Sequence, residues 1–291
     1  MDSIGVIANL NRSGAQQVVE RLAKWCDEHD TPLYFCQEMT SVSGESRNVV
    51  QRCDLPELCD VILSMGGDGT LLATARLVGD SGVPILGINI GSLGFLTEQT
   101  PVDLERTLQR LSEGGYHLQE RMVLAASVST ADGKTSFALN DVVIARSDIR
   151  MASIALYSNG DYICSYNADG LVISTPTGST AYSLAVGGPI LNPEMDAIVA
   201  SPIAPHSLAS RPLVFNANEA LTVEISPDTE VAVMIVDGQE STKLKNGDRI
   251  SIEKANYRVR LIRFDENSFY KVLREKLHWG YLPIQDSTRI V

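Results

Sequence analysis

Val61-Ile62-Leu63-Ser64-Met65-Gly66-Gly67-Asp68-Gly69-Thr70-Leu71-Leu72 is the stretch on which the reading of this chain turns. A short apolar run enters a doubled glycine, an acid and a third glycine, and an apolar segment then continues to Val78. Residues 61–65 predict a buried strand and residues 71–78 a helix. The turn between them lies at the carboxyl end of a strand, where open α/β sheets place their ligands. Glycines there let a ligand approach the backbone without meeting a Cβ. Free N–H groups at the helix start can cradle phosphate oxygens. An acid in that position is odd for phosphate binding alone, because two anions repel. Asp68 fits a group that takes a proton from an attacking hydroxyl, or positions it. The competing reading is a helix cap. Neither G-x-x-x-x-G-K-[ST] nor G-x-G-x-x-G occurs, so a nucleotide enzyme built on this chain uses another device.

Outward from that turn, the first third alternates strand-like and helix-like patterns. Residues 4–8, 32–35 and 84–89 read as further strands. Val18, Val19, Leu22 and Trp25 recur at helical spacing after Asn11-Arg12-Ser13-Gly14, and Leu104, Leu108 and Leu111 mark another helix with Asp103 at its N-cap. Strands alternating with helices imply a parallel sheet covered on both faces. After Gly114-Gly115 the period changes to two: Met122, Leu124, Ala126 and Val128, then Val223 and Ile225, then Val231, Val233 and Ile235. Turn signals stand at Asp132-Gly133, Asn159-Gly160, Asp237-Gly238 and Asn246-Gly247, with Ile250 and Ile252 beyond. This half predicts an antiparallel sandwich or folded sheet. Residues 267–279 return to helix, with Ser268 as cap and Phe269, Val272, Leu273 and Leu277 on one face. The expected organisation is an α/β domain at 1–115, a β-rich domain at 116–260 and a C-terminal segment at 261–291.

The 291 residues carry a net charge of −12, which repels a phosphate backbone and argues against nucleic acid as a partner. Any phosphate must be held by local N–H groups, helix ends or a metal ion. The five cysteines include no C-x-x-C pair and the four histidines are scattered, which fits reduced thiols and no permanent transition-metal site. A transient magnesium ion stays open. The N-terminus does not read as a signal peptide and no run of about 18 apolar residues occurs, so a cytoplasmic protein with no membrane span is expected.

Two further constellations carry chemistry. Asp169-Gly170 opens an apolar strand that runs into Thr175-Pro176-Thr177-Gly178-Ser179-Thr180-Ala181-Tyr182-Ser183, where five of nine residues are Ser or Thr. Ser179 or Thr180 is placed to cap a short helix beginning at Ala181, which Gly187-Gly188-Pro189 ends. A plain surface loop would not be fed by a buried strand and left by a helix. Asn140-Asp141 interrupts an apolar run, and burying two polar residues without partners is costly; a strand end facing a ligand and a surface turn both explain it. Gln239, after Asp237-Gly238, is a weaker candidate, and His206 reads as a loop histidine.

Taken together these segments resemble the NAD kinase family. The Gly-Gly-Asp-Gly-Thr turn alone is shared in close variants by diacylglycerol and sphingosine kinases and by phosphofructokinases. The ordered set is specific: that turn at 66–70, the Asn-acid pair at 140–141, DGLVISTPTGSTAYSLAVGGPI at 169–190 and APHSLASRPLV at 204–214. The likeness covers essentially the whole chain. It implies a Rossmann-like α/β domain, a β-rich NAD-binding domain, and a last segment packing back on the first. It also implies transfer of the γ-phosphoryl group of ATP to the 2′-hydroxyl of the adenosine ribose of NAD, a magnesium ion, and a homodimer or homotetramer. Carried over by position, Asp68 is the general base and Gly66, Gly67 and Gly69 form the phosphate-binding turn. Asn140 and Asp141 hold the adenine and ribose end, and Asp169 faces the nicotinamide portion. Thr180, Ala181, Tyr182, Ser183, Leu184 and Ala185 line the dinucleotide site, with Gln239 as a further contact. Asp141 stands where most members have Glu, and Asn167 where some carry a basic residue. Two other readings share part of the pattern. A lipid kinase needs an acyl-chain groove or membrane-seeking segment, and none is evident. A non-catalytic NAD(H)-binding regulator has no need of Asp68.

Overall fold

The computed structural model describes residues 2–40, 48–130, 133–146, 152–226, 232–264 and 268–279. Asp132, Val231 and Asn267, named above in a turn, a strand and a helix, lie outside the described residues. The first half places parallel strands β1 (Ile4–Ala8), β2 (Leu33–Cys36), β3 (Asn48–Val50), β4 (Val61–Gly66) and β5 (Ile85–Asn89) in the order β5-β4-β1-β2-β3. Helices α1 (Ala15–Glu28), α2 (Leu55–Leu58), α3 (Asp68–Val78) and α4 (Leu104–Ser112) connect and cover it. α1 buries Val18, Val19, Leu22 and Trp25 and α4 buries Leu104, Leu108 and Leu111, so the helical spacings point into one core. Asp103 stands at the N-cap of α4, but its carboxylate makes no capping bond and accepts from Thr100 Oγ1 instead. The tight turn Pro101–Asp103 already winds the chain before α4 begins.

The second half holds β6 (His117–Val128), β7 (Thr135–Ala138), β8 (Asp141–Arg146), β9 (Ala152–Ser158), β10 (Asp161–Ala168), β11 (Gly170–Ser174), the short α5 (Tyr182–Ala185), β12 (Ala197–Ile203), β13 (Leu213–Asn216), β14 (Leu221–Ile225), β15 (Ala232–Val236), β16 (Glu240–Leu244) and β17 (Arg249–Arg263). α6 (Phe269–Leu277) follows, and Ser268 Oγ accepts the Lys271 N–H as a cap should. Six strands form an antiparallel sheet in the order β13-β12-β11-β8-β15-β16. Its inner face (Ile144, Leu171, Ile198, Met234) packs on Leu124, Leu156, Val223 and Ile252 from the other layer, the sandwich that the period-two pattern predicts.

β17 joins the halves. Over fifteen residues it pairs antiparallel with β14 and β6, then parallel with β5 through Leu261 and Ile85. One sheet of eleven strands therefore runs from the sandwich into the α/β half, and it crosses position 260 without a break. A register shift between Lys254 and Arg258 interrupts the alternation that Ile250 and Ile252 begin.

Candidate active site

β4 ends at Gly66 and α3 begins at Asp68, so Gly67 alone makes the turn and occupies the N-cap. Asp68 does not cap the helix. Its Oδ2 accepts the Phe95 N–H at 2.9 Å, while Oδ1 accepts the Leu96 N–H at 3.0 Å and the Thr97 N–H and Oγ1 at 3.3 Å each. Four donors from the segment after β5 thus aim the carboxylate. A Cβ on Gly94 would press into Asp68 Oδ1 and Thr97 Oγ1, so this approach requires glycine. The sequence reading stopped at the end of β5 and missed this segment. Its signal was Gly91-Ser92-Leu93-Gly94, small residues directly after a buried parallel strand.

Beside the turn lies a cavity of about 320 Å³ lined by Asn9, Arg12, Arg52, Gly67, Gly69 and Thr70. Arg12 Nη2 stands 3.3 Å from where a side chain on Gly67 would begin. Two guanidinium groups and the first N–H groups of α3 therefore give a positive local field to a chain of net charge −12. Both arginines were missed. Each sits in a connection with no motif of its own, and only the fold brings them to one wall.

Asn140 and Asp141 are organised by Asp237. Its carboxylate accepts the N–H groups of Leu139, Asn140 and Asp141 at 2.9, 2.8 and 3.1 Å. Burial, and next the neighbouring Asp237, push the Asp141 carboxyl up to about 7. Burial also raises Asp237, against the three N–H groups and Arg76. Gln239 closes the arrangement: its Nε2 donates to the Gly69 carbonyl at 2.7 Å and its Oε1 accepts from Arg76 Nη1 at 3.0 Å. The residue with the faintest sequence signal stitches the β15–β16 hairpin to the glycine turn.

The Ser/Thr-rich segment leaves β11 and is anchored beside that pair, Thr175 Oγ1 donating to the Leu139 carbonyl and Thr175 N–H to the Asn140 carbonyl. The capping expectation for α5 is corrected. The helix starts at Tyr182 and its N-cap, Ala181, makes no side-chain bond. Ser179 Oγ instead donates to the Pro176 carbonyl and accepts the Leu191 N–H, and Thr180 Oγ1 donates to the Thr177 carbonyl, so both hydroxyls lock the turn. Tyr182 and Ala185 are exposed, Thr180, Ala181 and Leu184 half-buried, and Ser183 buried against Ser201. Asp169 pairs with Arg146 at 2.8 Å and His206 is exposed. Hydrogen bonds thus chain Asp68 with the 95–97 segment, Gly69 with Gln239, and Asn140–Asp141 with Asp237 and Thr175; Asp169 and Ser183 stand outside those chains.

Such a fold, with an aimed carboxylate between two glycines and arginines beside the turn, defines a two-domain protein of the phosphoryl-transfer class. The family model for the ATP-NAD kinase N-terminal domain matches residues 4–116, and that for the ATP-NAD kinase C-terminal domain matches residues 139–264. The chain belongs to the NAD kinase family. The NAD kinase of Heliobacterium modesticaldum is 40% identical over 289 residues, covering 96% of this chain and 100% of that protein. The NAD kinase of Thermoanaerobacter sp. (strain X514) is 40% identical over 280 residues, covering 95% and 99%. Among solved structures, yeast NADH kinase complexed with NADH has the same fold, with a TM-score of 0.89 at 22% identity, covering 100% of this chain and 90% of that one. An NAD kinase from Archaeoglobus fulgidus in complex with ATP gives a TM-score of 0.73 at 24% identity, covering 93% and 98%.

Proposed function

We propose that the chain transfers the γ-phosphoryl group of ATP to the 2′-hydroxyl of the adenosine ribose of NAD, making NADP, with Asp68 as general base. The observation that carries this is the Asp68 carboxylate, fixed by four donors one residue from the arginine-lined cavity. Phosphoryl transfer passes through a loose transition state in which alignment and charge neutralisation matter most. Arg12, Arg52 and the glycine N–H groups would hold the triphosphate and offset its charge. Asn140 and Asp141 would take the adenosine end of NAD, residues 180–185 would line the dinucleotide, and Asp169 would face the nicotinamide. The alignment also selects the hydroxyl, since a base reaches only a proton within about 3 Å.

Magnesium enters this reading as the counter-ion of the triphosphate, held mainly by phosphate oxygens. Among the described residues no group of three or more His, Cys, Asp or Glu gathers that could hold a resident ion. Among them, too, no helix is long and apolar enough to cross a membrane. Cytoplasmic action as a homodimer or homotetramer completes the proposal, with light scattering as the check on assembly. The decisive test is an activity matrix of ATP or polyphosphate against NAD, NADH or diacylglycerol. NADP formed from ATP and NAD is the expected result; phosphorylated lipid without NADP overturns the proposal.

A further inference from the structure

Behind the segment that holds Asp68 lies a buried polar cluster that the reaction described so far does not use. Arg263, at the end of β17, donates from Nη1 to the Leu96 carbonyl at 3.0 Å and pairs with Glu98 at 2.8 Å; its Nε donates to Gln119 Oε1 at 3.2 Å. Arg121 on β6 also reaches Gln119 Oε1, and its Nη1 lies 3.4 Å from Thr177 Oγ1 in the Ser/Thr-rich turn. Both arginines are about 4% exposed. Isolated charges are this buried only where a partner or a function holds them. The Leu96 carbonyl that accepts from Arg263 and the Thr97 N–H that donates to Asp68 belong to one peptide group. A single peptide dipole therefore stands between a buried cation and the carboxylate, its oxygen on the cation and its N–H on the anion.

We infer that Arg263 is a positioning residue for phosphoryl transfer: it polarises and fixes the 96–97 peptide that aims Asp68, while Arg121 ties the same cluster to the dinucleotide turn. The inference rests on the reading of Asp68 given above. Burial lowers the Arg263 guanidinium below its ordinary range, and the charges of Glu98 and then Asp68 oppose that. Glu98 moderates the cation. Removing the cation should free the 96–97 peptide and with it the aim of the Asp68 carboxylate. The other charged or titratable groups facing the cluster are His117 and Arg121 from β6, Lys271 from α6, and Glu194, whose Oε1 accepts from Gln119 Nε2; Arg12 faces the glycine turn from the far side.

The test compares kcat and KM for Arg263→Lys and the double variant Arg263→Gln/Glu98→Gln, which removes the buried ion pair together while Arg121 keeps Gln119 and Glu194 as partners. Turnover should fall at least tenfold in the double variant with KM for NAD little changed, and Arg263→Lys should recover part of it. Normal turnover in a folded double variant, or a loss confined to KM, overturns the inference. Asp68→Asn, run alongside, separates the two failures. If that variant stays active the reading of Asp68 falls, whereas an inactive Asp68→Asn with normal turnover in the cluster variants removes only Arg263.

Discussion

At the scale of the residue, Asp68 carries the sharpest expectation. Asp68→Asn keeps the size and most contacts of the side chain but removes the proton acceptor, so turnover should drop by about 10²–10⁴ while NAD affinity stays within several-fold. Steady-state kinetics with a separate binding titration decides it, and full activity in the variant would falsify the assignment. Asp141 makes a different statement. Its carboxyl is pushed up to about 7 by burial and Asp237, above the ordinary value of 3.8 that the unfolded chain approaches. Between those values the folded state binds more protons than the unfolded one, so stability declines as pH rises through that window, by roughly 1.4 kcal/mol for each unit of displacement. Asp141→Asn should therefore flatten the loss of melting temperature between about pH 4 and pH 7; an unchanged pH dependence would remove Asp141 as its source. Asp68 was legible as chemical because the doubled glycine before it and the Thr after it at a strand's carboxyl end outweigh the simple reading of a helix cap. Arg12, Arg52 and Arg263 were not, because nothing within several residues of each distinguishes them from solvated surface charge.

At the scale of the element, the segment after β5 does more than connect. Gly94 is the only residue type that permits its approach to Asp68. Gly94→Ala should displace the 95–97 amides by a few tenths of an ångström or more and lower turnover by about 10²-fold, the usual penalty for small misplacement of a reacting group. Far-UV circular dichroism should stay near wild type, and normal turnover in a folded variant would show that the amides do not need this seat. Period and turn chemistry made most strands and helices readable: the Asn159-Gly160 hairpin closes β9 on β10, both turn residues at positive φ, as the pair predicts. The two caps that failed share one cause. Asp103 and the pair Ser179/Thr180 enter their helices from turns already wound, so their side chains bond within the turn. Ser268 enters from extended backbone at φ −101° and ψ 148°, and its cap forms.

At the scale of the whole molecule, composition and alternation revealed two architectures but not their junction. The register shift in β17 hides a strand that is shared by both. Because the ladder is continuous, the halves should unfold together. The fluorescence of Trp25, buried in the α/β half, and the far-UV signal dominated by strands should follow one urea transition with the same midpoint. Separate midpoints would show that the shared ladder does not couple the halves.

Proteins that clasp a ligand between lobes often swing them about a hinge, and a hinge needs a seam where few backbone bonds cross. Here the seam is crossed by a spine of main-chain bonds, and bending it would mean peeling strands apart. Guests are thus expected to enter and leave with the body keeping its outline. X-ray scattering in solution, with and without dinucleotide, should give superimposable envelopes.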